Sequence, residues 1–264
     1  MIMELWLLNH LDTFGLALLL IGGLVALALL GAVHVRRRFP RSVNGEQNEM
    51  VGVLLGMYGA IYGIFLAFVV VAEWEGLGVA EQVVAAESAN AASIVRDVAV
   101  FPEKDERQVV DAVGQYVHAV VDNQWPKMRQ GVPDSASTEN AMSSLFQSLQ
   151  SYEPKTESQK AYYETAAGHV NAMAADRRSR LAIARSGLPT LLKILVYGGA
   201  IVMIPLTLLL GIRDRRAQLM FVGCSTALIG LALLLAVTLD RPFSGDLAVS
   251  PEPYQQGVLA QFWK

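Results

Sequence analysis

Four stretches of this chain carry no formal charge: residues 13–35, 50–72, 194–212 and 217–239, with His34 taken as neutral. About 20 apolar residues in a helix span the roughly 30 Å hydrocarbon core of a bilayer, and each stretch is about that long. A helix buried in a water-soluble protein does not need apolar residues on every face. The pattern predicts four transmembrane helices. The remaining chain explains the composition. At 53% hydrophobic and 17% charged residues the sequence is short of charge, yet residues 73–186 hold 16 acidic and 11 basic residues, so the deficit lies in the four stretches alone. The expected fold class is all-α, a polytopic membrane protein with a helical extramembrane domain between spans two and three. The expected divisions are residues 1–72 as a first transmembrane hairpin (spans about 13–35 and 50–72), 73–187 as the extramembrane domain, 188–239 as a second hairpin and 240–264 as an ordered tail.

Charge placement bears on orientation. The segment before the first span carries Glu4 and Asp12 and no Lys or Arg, so it does not read as a cleaved signal peptide. Arg36, Arg37, Arg38 and Arg41 follow that span, and Arg213, Arg215 and Arg216 lie between spans three and four against Asp214. Short basic loops face the cytoplasm. Both termini and the large helical domain are then extracytoplasmic. Arg177, Arg178, Arg180 and Arg185, just before span three, oppose that orientation, but long domains weigh less in the rule.

The insertion reads as helical hairpins. Val79, Val83, Ala86 and Asn90 continue helix two at helical spacing, and Phe101-Pro102 starts a new helix with the stripe Val109, Val113, Tyr116, Val117 and Val120. Trp125-Pro126 is expected to stop it, and residues 131–134 form a loop. Leu145, Phe146, Leu149 and Tyr152 mark a third helix. Thr156 with Gln159 forms a capping box that opens a long fourth helix through Ala166, Val170, Met173 and Leu181. Glu73, Glu75, Glu81 and Glu87 lie on the outgoing helix and the four arginines on the returning one. They form either solvated faces with weak exposed ion pairs or a charged vestibule at a pore mouth.

Enzyme chemistry is not written in this sequence. His10, His34, His118 and His169 sit in no metal-binding cluster, and there is no phosphate loop, dinucleotide fingerprint or nucleophile elbow. No catalytic residue, metal or cofactor is expected. The net charge of −3 gives no reason to expect nucleic-acid binding. Cys224 reads as a small buried hydrophobe. No charge lies inside a span, which disfavours an intramembrane enzyme or proton relay. Pro205 falls mid-way along span three and should kink it.

Helix two is distinctive. Gly52, Gly56, Gly59, Gly63 and Ala67 form small-xxx-small patterns that allow close helix approach. Met57, Ile61 and Phe65, spaced i, i+4, i+8, stack in one column on the opposite side, which also carries Tyr58, Tyr62 and Phe68. The column is either lipid-facing bulk or, in an oligomer, an apolar throat gated by dewetting.

The chain resembles a bacterial membrane family, the bestrophin-like domain family of unknown function. The resemblance rests on Asn48-Glu49 after the basic loop, residues 59–68 leading into Glu73-Trp74-Glu75, Asp176-Arg177-Arg178, residues 185–189, and Asp240-Arg241-Pro242-Phe243 onward. It is similar, more distantly, to bestrophins, ring-shaped and usually pentameric anion channels. Their second helix carries three apolar neck residues, matched here by Met57, Ile61 and Phe65, with Trp74 nine residues further on. Asp240, Pro242, Phe243 and Asp246 resemble their motif after the last span, here interrupted. Three departures stand out. Glu73 occupies a position where bestrophins commonly have arginine, the acidic cluster is thin, and bestrophins keep the helical domain cytoplasmic. The resemblance implies a homo-oligomer, pentameric by analogy, in the lipid bilayer of the cell membrane, conducting a permeant ion past a mouth bearing Glu73, Glu75, Arg177, Arg178 and Arg185. Resemblance implies anions, whereas the glutamates favour cations, and the choice stays open here. The alternative is a non-conducting scaffold or sensor that binds a protein partner through its helical domain.

Overall fold

Each apolar stretch, except for the last four residues of the third, is helical in the computed structural model, which describes residues 9–264. Glu4 and the side chain of Arg41 lie outside what is described. Helix α1 spans Thr13–Arg38, with one π-helical turn at Leu18–Gly22. Helix α2 is Asn48–Asp97, 50 residues long. Then come α3 (Glu103–His118), α4 (Trp125–Arg129), α5 (Ala136–Gln150), α6 (Glu157–Arg185), α7 (Thr190–Leu208) and α8 (Arg215–Leu239). Among the described residues there is no strand. Helices are the form that satisfies every backbone polar group within one segment, which lipid requires. Among the described residues, four helices are long and apolar enough to cross a membrane. In their most apolar windows only 17–33% of residues are buried within the chain, so most of this apolar surface faces outward. The fold is all-α and polytopic, with the helical domain inserted between spans two and three.

The chain forms two compact units. The first comprises, of the described residues, 9–75, 188–240 and 245–247. Its core gathers Tyr62, Leu66 and Val69 of α2, Val196, Ala200 and Met203 of α7, and Ile229, Leu233 and Ala236 of α8. The Tyr62 hydroxyl donates to the Val196 carbonyl at 2.6 Å, and its ring lies where a Cβ on Gly199 would sit, so α7 needs glycine there. Two polar clamps hold the loop ends of this unit. The Asn48 amide donates to the Gly211 carbonyl and accepts from the Gly211 N–H, both at 2.8 Å. Arg36 donates to the carbonyls of Ile212 at 3.0 Å and Arg213 at 2.9 Å, and to Gln218 Oε1 at 2.5 Å. These clamps end α7 at Leu208, four residues short of the apolar stretch. Pro205 lies inside this helix, three residues before its end, and withholds a donor from the Ile201 carbonyl. Cys224 is exposed on α8, not buried. The sequence marks it as apolar but does not say which side of a membrane helix packs inward.

The second unit comprises Gly76–Gly187, Arg241–Ser244 and Ala248–Lys264. The predicted α3 stripe is its centre: Val109, Val113, Tyr116, Val117 and Val120 are all fully buried. The stripe on α2 runs one residue later than expected. Ala80, Val84, Glu87, Ala91 and Ile94 face inward, while Val79 is 49% exposed. Glu87 sets this register, because its partner lies inside the unit. Trp125-Pro126 does not stop the helix that begins at Glu103. A π-helical stretch, Ala119–Gln124, carries the helix without a break into α4, whose second residue is Pro126. The capping residues open α6 as expected: Thr156 Oγ1 accepts from the Gln159 N–H at 3.2 Å, and Gln159 Oε1 reaches back to the Lys155 N–H at 3.0 Å. The tail is ordered in short 3-10 turns, with Phe243, Val249, Tyr254 and Leu259 buried in this core.

Candidate functional site

Helix α2 presents three different faces in the first unit. Leu55, Tyr62, Leu66 and Val69 pack inward. Tyr62 thus belongs to the packed face, not with Met57. A second face carries the small residues: Gly52, Gly56, Gly63 and Ala67 are exposed, and only Gly59 approaches another helix, near Met203. The third carries the stacked column, with Met57 49%, Ile61 50% and Phe65 45% exposed, and Phe68 beside it at 70%. Alongside the small face runs an apolar groove of about 560 Å³, lined by Gly59, Gly63 and Ala67 of α2 and by Leu228, Ala232 and Leu235 of α8. Within one chain, then, both the column and the small stripe lack a packing partner.

The charged candidates fall into different surroundings. Glu73 and Glu75 stand eight and ten residues beyond Phe65 on α2, with Trp74 between them 66% exposed. In the second unit, Arg178 and Arg185 are exposed on α6. Arg177 is buried: its Nε donates to Thr138 Oγ1 at 2.7 Å, and its Nη2 to the Ser135 carbonyl at 2.7 Å and to Glu139 Oε2 at 2.9 Å. It ties the start of α5 to α6.

The strongest electrostatic feature of the second unit is a buried centre that sequence reading did not assemble. Arg180 and Glu87 are both fully buried and bidentate, with Nε to Oε2 at 2.7 Å and Nη2 to Oε1 at 3.0 Å. Arg180 also donates to Gln124 Oε1 at 2.8 Å and lies 5.7 Å from the Trp125 ring centroid. The Tyr116 hydroxyl donates to Glu87 Oε1 at 2.5 Å. The π-helical stretch aims Gln124 inward, where its amide also reaches Thr138 and the Asp134 carbonyl. Burial opposes the Arg180 charge, but the Glu87 carboxylate outweighs it and raises the guanidinium's pKa. Burial, reinforced by Glu87, holds the Tyr116 and Tyr254 hydroxyls well above the usual tyrosine range. Glu87 and Arg180 thus lie neither on a solvated face nor at a charged vestibule, the two expectations for them. A bidentate pair with further hydrogen bonds can be retained in a dry core, and the core closes over it because Tyr116, Trp125 and Tyr254 supply the surrounding volume.

The pairing had a legible signal. Glu87–Arg180, Asn90–Asp176 (2.9 Å) and Asp97–His169 (2.7 Å) are successive rungs whose residue numbers rise on α2 as they fall on α6. That is the signature of antiparallel helices. Burial pushes the Asp176 carboxyl upward, against the donation from Asn90.

The tail residues are held at named points. Asp240 accepts from the Leu188 N–H and from Lys193 Nζ, the latter at 2.6 Å, at the start of α7. The Pro242 carbonyl accepts from the Val249 N–H at 2.7 Å, and Phe243 packs edge-on to Trp125. Asp246 accepts from the Thr13 N–H at 2.6 Å at the start of α1. His118 faces two acceptors, Asp122 Oδ2 and the Phe262 carbonyl, each at 2.9 Å, and Phe262 lies over Gly114 with no room for a Cβ. Among the described residues, no three or more His, Cys, Asp or Glu side chains gather to hold a metal ion.

A family model described as the bestrophin-like domain matches residues 22–254. The chain is similar to the crystal structure of a bacterial bestrophin homologue from Klebsiella pneumoniae carrying a point mutation. Identity is 12%, with 92% of this chain and 97% of that one covered at a TM-score of 0.68. It is also similar to the crystal structure of a point variant of a membrane protein, at 13% identity, with 90% and 94% covered and a TM-score of 0.63. No curated protein matches the sequence. At such identities the structural likeness establishes the fold.

Proposed function

The chain belongs to the bestrophin-like family, and on that premise we propose that it is an oligomeric membrane ion channel whose second helix lines the pore. The observation that carries the reading is the column Met57, Ile61 and Phe65, half exposed on a helix whose other face is firmly packed. Ringed about a symmetry axis, such columns make a narrow apolar throat that holds water out until it widens. Closed rings are the common form of homo-oligomers. The exposed small stripe of α2 supports this arrangement, because small residues let a neighbouring subunit's helix approach closely. The apolar groove beside the stripe gives that helix a seat.

Glu73 and Glu75 follow the throat on the same helix and set which ions enter. Arg177 is committed to Glu139 and Thr138 and takes no part at the mouth.

The test is ion flux from liposomes reconstituted with the purified full chain. Wild-type protein should pass ions faster than protein-free liposomes. Phe65→Ala, which widens the throat, should raise the flux severalfold. Wild-type flux equal to that of empty liposomes, or flux indifferent to Phe65→Ala and Ile61→Ser alike, would overturn the proposal.

A further inference from the structure

At one end of the first unit, the C-terminal turn of α1 and the N-terminal turn of α8 enclose a pocket of about 210 Å³. Its walls are of two kinds. Ala32, Val33 and Leu219 make an apolar side that belongs to the spans, and Arg36, Arg37 and Arg215 make the rim. Arg36 is half-buried and already oriented, but all its hydrogen-bond partners (Ile212, Arg213 and Gln218) are neutral, so its charge is not cancelled. Arg37 and Arg215 are exposed. Among the described residues none of the three arginines makes an ion pair. The carboxylate nearest in sequence, Asp214, is engaged with the N–H groups of Arg216 and Ala217 as the cap of α8.

Three uncompensated guanidinium groups above an apolar wall, at the level where two spans leave the hydrocarbon, match one kind of molecule. Arginine's planar fork suits phosphate oxygens. Basic pockets between transmembrane helices take anionic lipid headgroups. An acyl chain continuing down the wall of Ala32, Val33 and Leu219 distinguishes a lipid from a free anion. We propose that this pocket binds the phosphodiester headgroup of an anionic phospholipid from the leaflet that meets this end of the protein. The site is independent of ion conduction and stands or falls separately from it.

The experiment uses the purified full chain in detergent, titrated with dioleoyl phosphatidylglycerol, dioleoyl phosphatidylcholine or glycerol 3-phosphate and followed by native mass spectrometry and thermal unfolding. Wild type should retain phosphatidylglycerol, and its Tm should rise with that lipid only. The double variant Arg37→Gln, Arg215→Gln leaves the Arg36 clamp intact. It should unfold at the wild-type temperature without lipid and bind phosphatidylglycerol about 30-fold more weakly, as expected for losing two surface cations near a headgroup. Equal retention of phosphatidylglycerol and phosphatidylcholine by wild type would overturn the proposal without any variant being needed. So would unweakened phosphatidylglycerol binding by the double variant. Glycerol 3-phosphate binding as tightly as the lipid would make this a soluble-anion site, which also overturns it.

Discussion

Glu87 and Arg180 show what a single residue decides in this chain. Neither side chain touches water, so each depends on the other for the energy of remaining charged. Replacing Glu87 by Gln leaves the guanidinium buried opposite an amide and should cost about 3–5 kcal/mol of stability. The paired replacement Glu87→Leu with Arg180→Met should cost far less than the two single changes summed. Thermal unfolding in detergent of wild type, Glu87→Gln, the two other single variants and the double variant reads both quantities, and simple additivity would show that the pair is not coupled. Tyr116 and Tyr254 make a second prediction at this scale. Their folded-state pKa values are raised above the unfolded value of about 10. The stability they lend is therefore fully present below about pH 10 and is lost as pH rises towards their folded values. In an ultraviolet titration, exposed tyrosines should ionise near pH 10, whereas these two should ionise only as the domain unfolds. Reversible ionisation of all eight tyrosines near pH 10 would contradict this.

At the scale of elements, close approaches and caps carry the load. A Cβ on Gly199 would overlap the Tyr62 ring, so Gly199→Ala should force α2 and α7 apart and cost about 1–3 kcal/mol. Gly198→Ala, one residue away, meets open space and should be nearly silent in the same thermal assay. The start of α5 rests on Asp134, which accepts from Lys127 Nζ at 2.7 Å and from the Ser137 N–H at 3.1 Å. The Lys127 and Ser137 hydrogen bonds hold its carboxyl down to about 2. With the folded value below the unfolded one, this contribution is complete above about pH 4 and fades as pH falls towards 2. A carboxyl NMR titration should find its midpoint near 2, and higher once Lys127 is replaced by Met, with the Ser137 hydrogen bonds still holding it below an ordinary carboxyl. How much of the elements was legible in the sequence varies for physical reasons. The α3 stripe was, because apolar period and burial coincide in a water-exposed domain. The inward face of α2 was misplaced by one residue, because a buried charge defines it and hydropathy reads charge as outside. The end of α7 was misplaced because Asn48 and Arg36, far away in sequence, terminate it. Spacing put Met57, Ile61 and Phe65 in one column and the family resemblance implied a neck, since in a membrane span apolar residues point in every direction and spacing cannot say which of them faces a pore.

The whole molecule is defined by what surrounds it. Most of the apolar span surface faces outward in the single chain, so some meets lipid and, on the proposed reading, some meets other copies. Native mass spectrometry should find a closed ring of identical subunits. A monomer retaining ion flux would refute the axial pore. Orientation is a second molecular question, and the basic short loops favour an extracytoplasmic helical domain. Asn140 is exposed on α5. In a Cys224→Ala background, Asn140→Cys should react with a membrane-impermeant thiol reagent from outside intact cells. Reaction only after permeabilisation would establish the opposite arrangement, the one bestrophins share.

Sequence alone determined the class of this protein. Four uncharged stretches of membrane length leave the backbone no option but helices, and the polar insertion between the second and third leaves it no place but outside the bilayer. It also placed Met57, Ile61 and Phe65 in one column on one helix, which the resemblance to bestrophins implies as a neck. Tertiary structure decided which charges are buried, which turn ends each span, and that the tail packs into the helical domain through Phe243, Tyr254 and Leu259. These depend on partners far apart in the chain: Glu87 with Arg180, Asn48 with Gly211, Thr13 with Asp246. Hydropathy and periodicity record the environment a residue prefers. They do not record which distant residue supplies it.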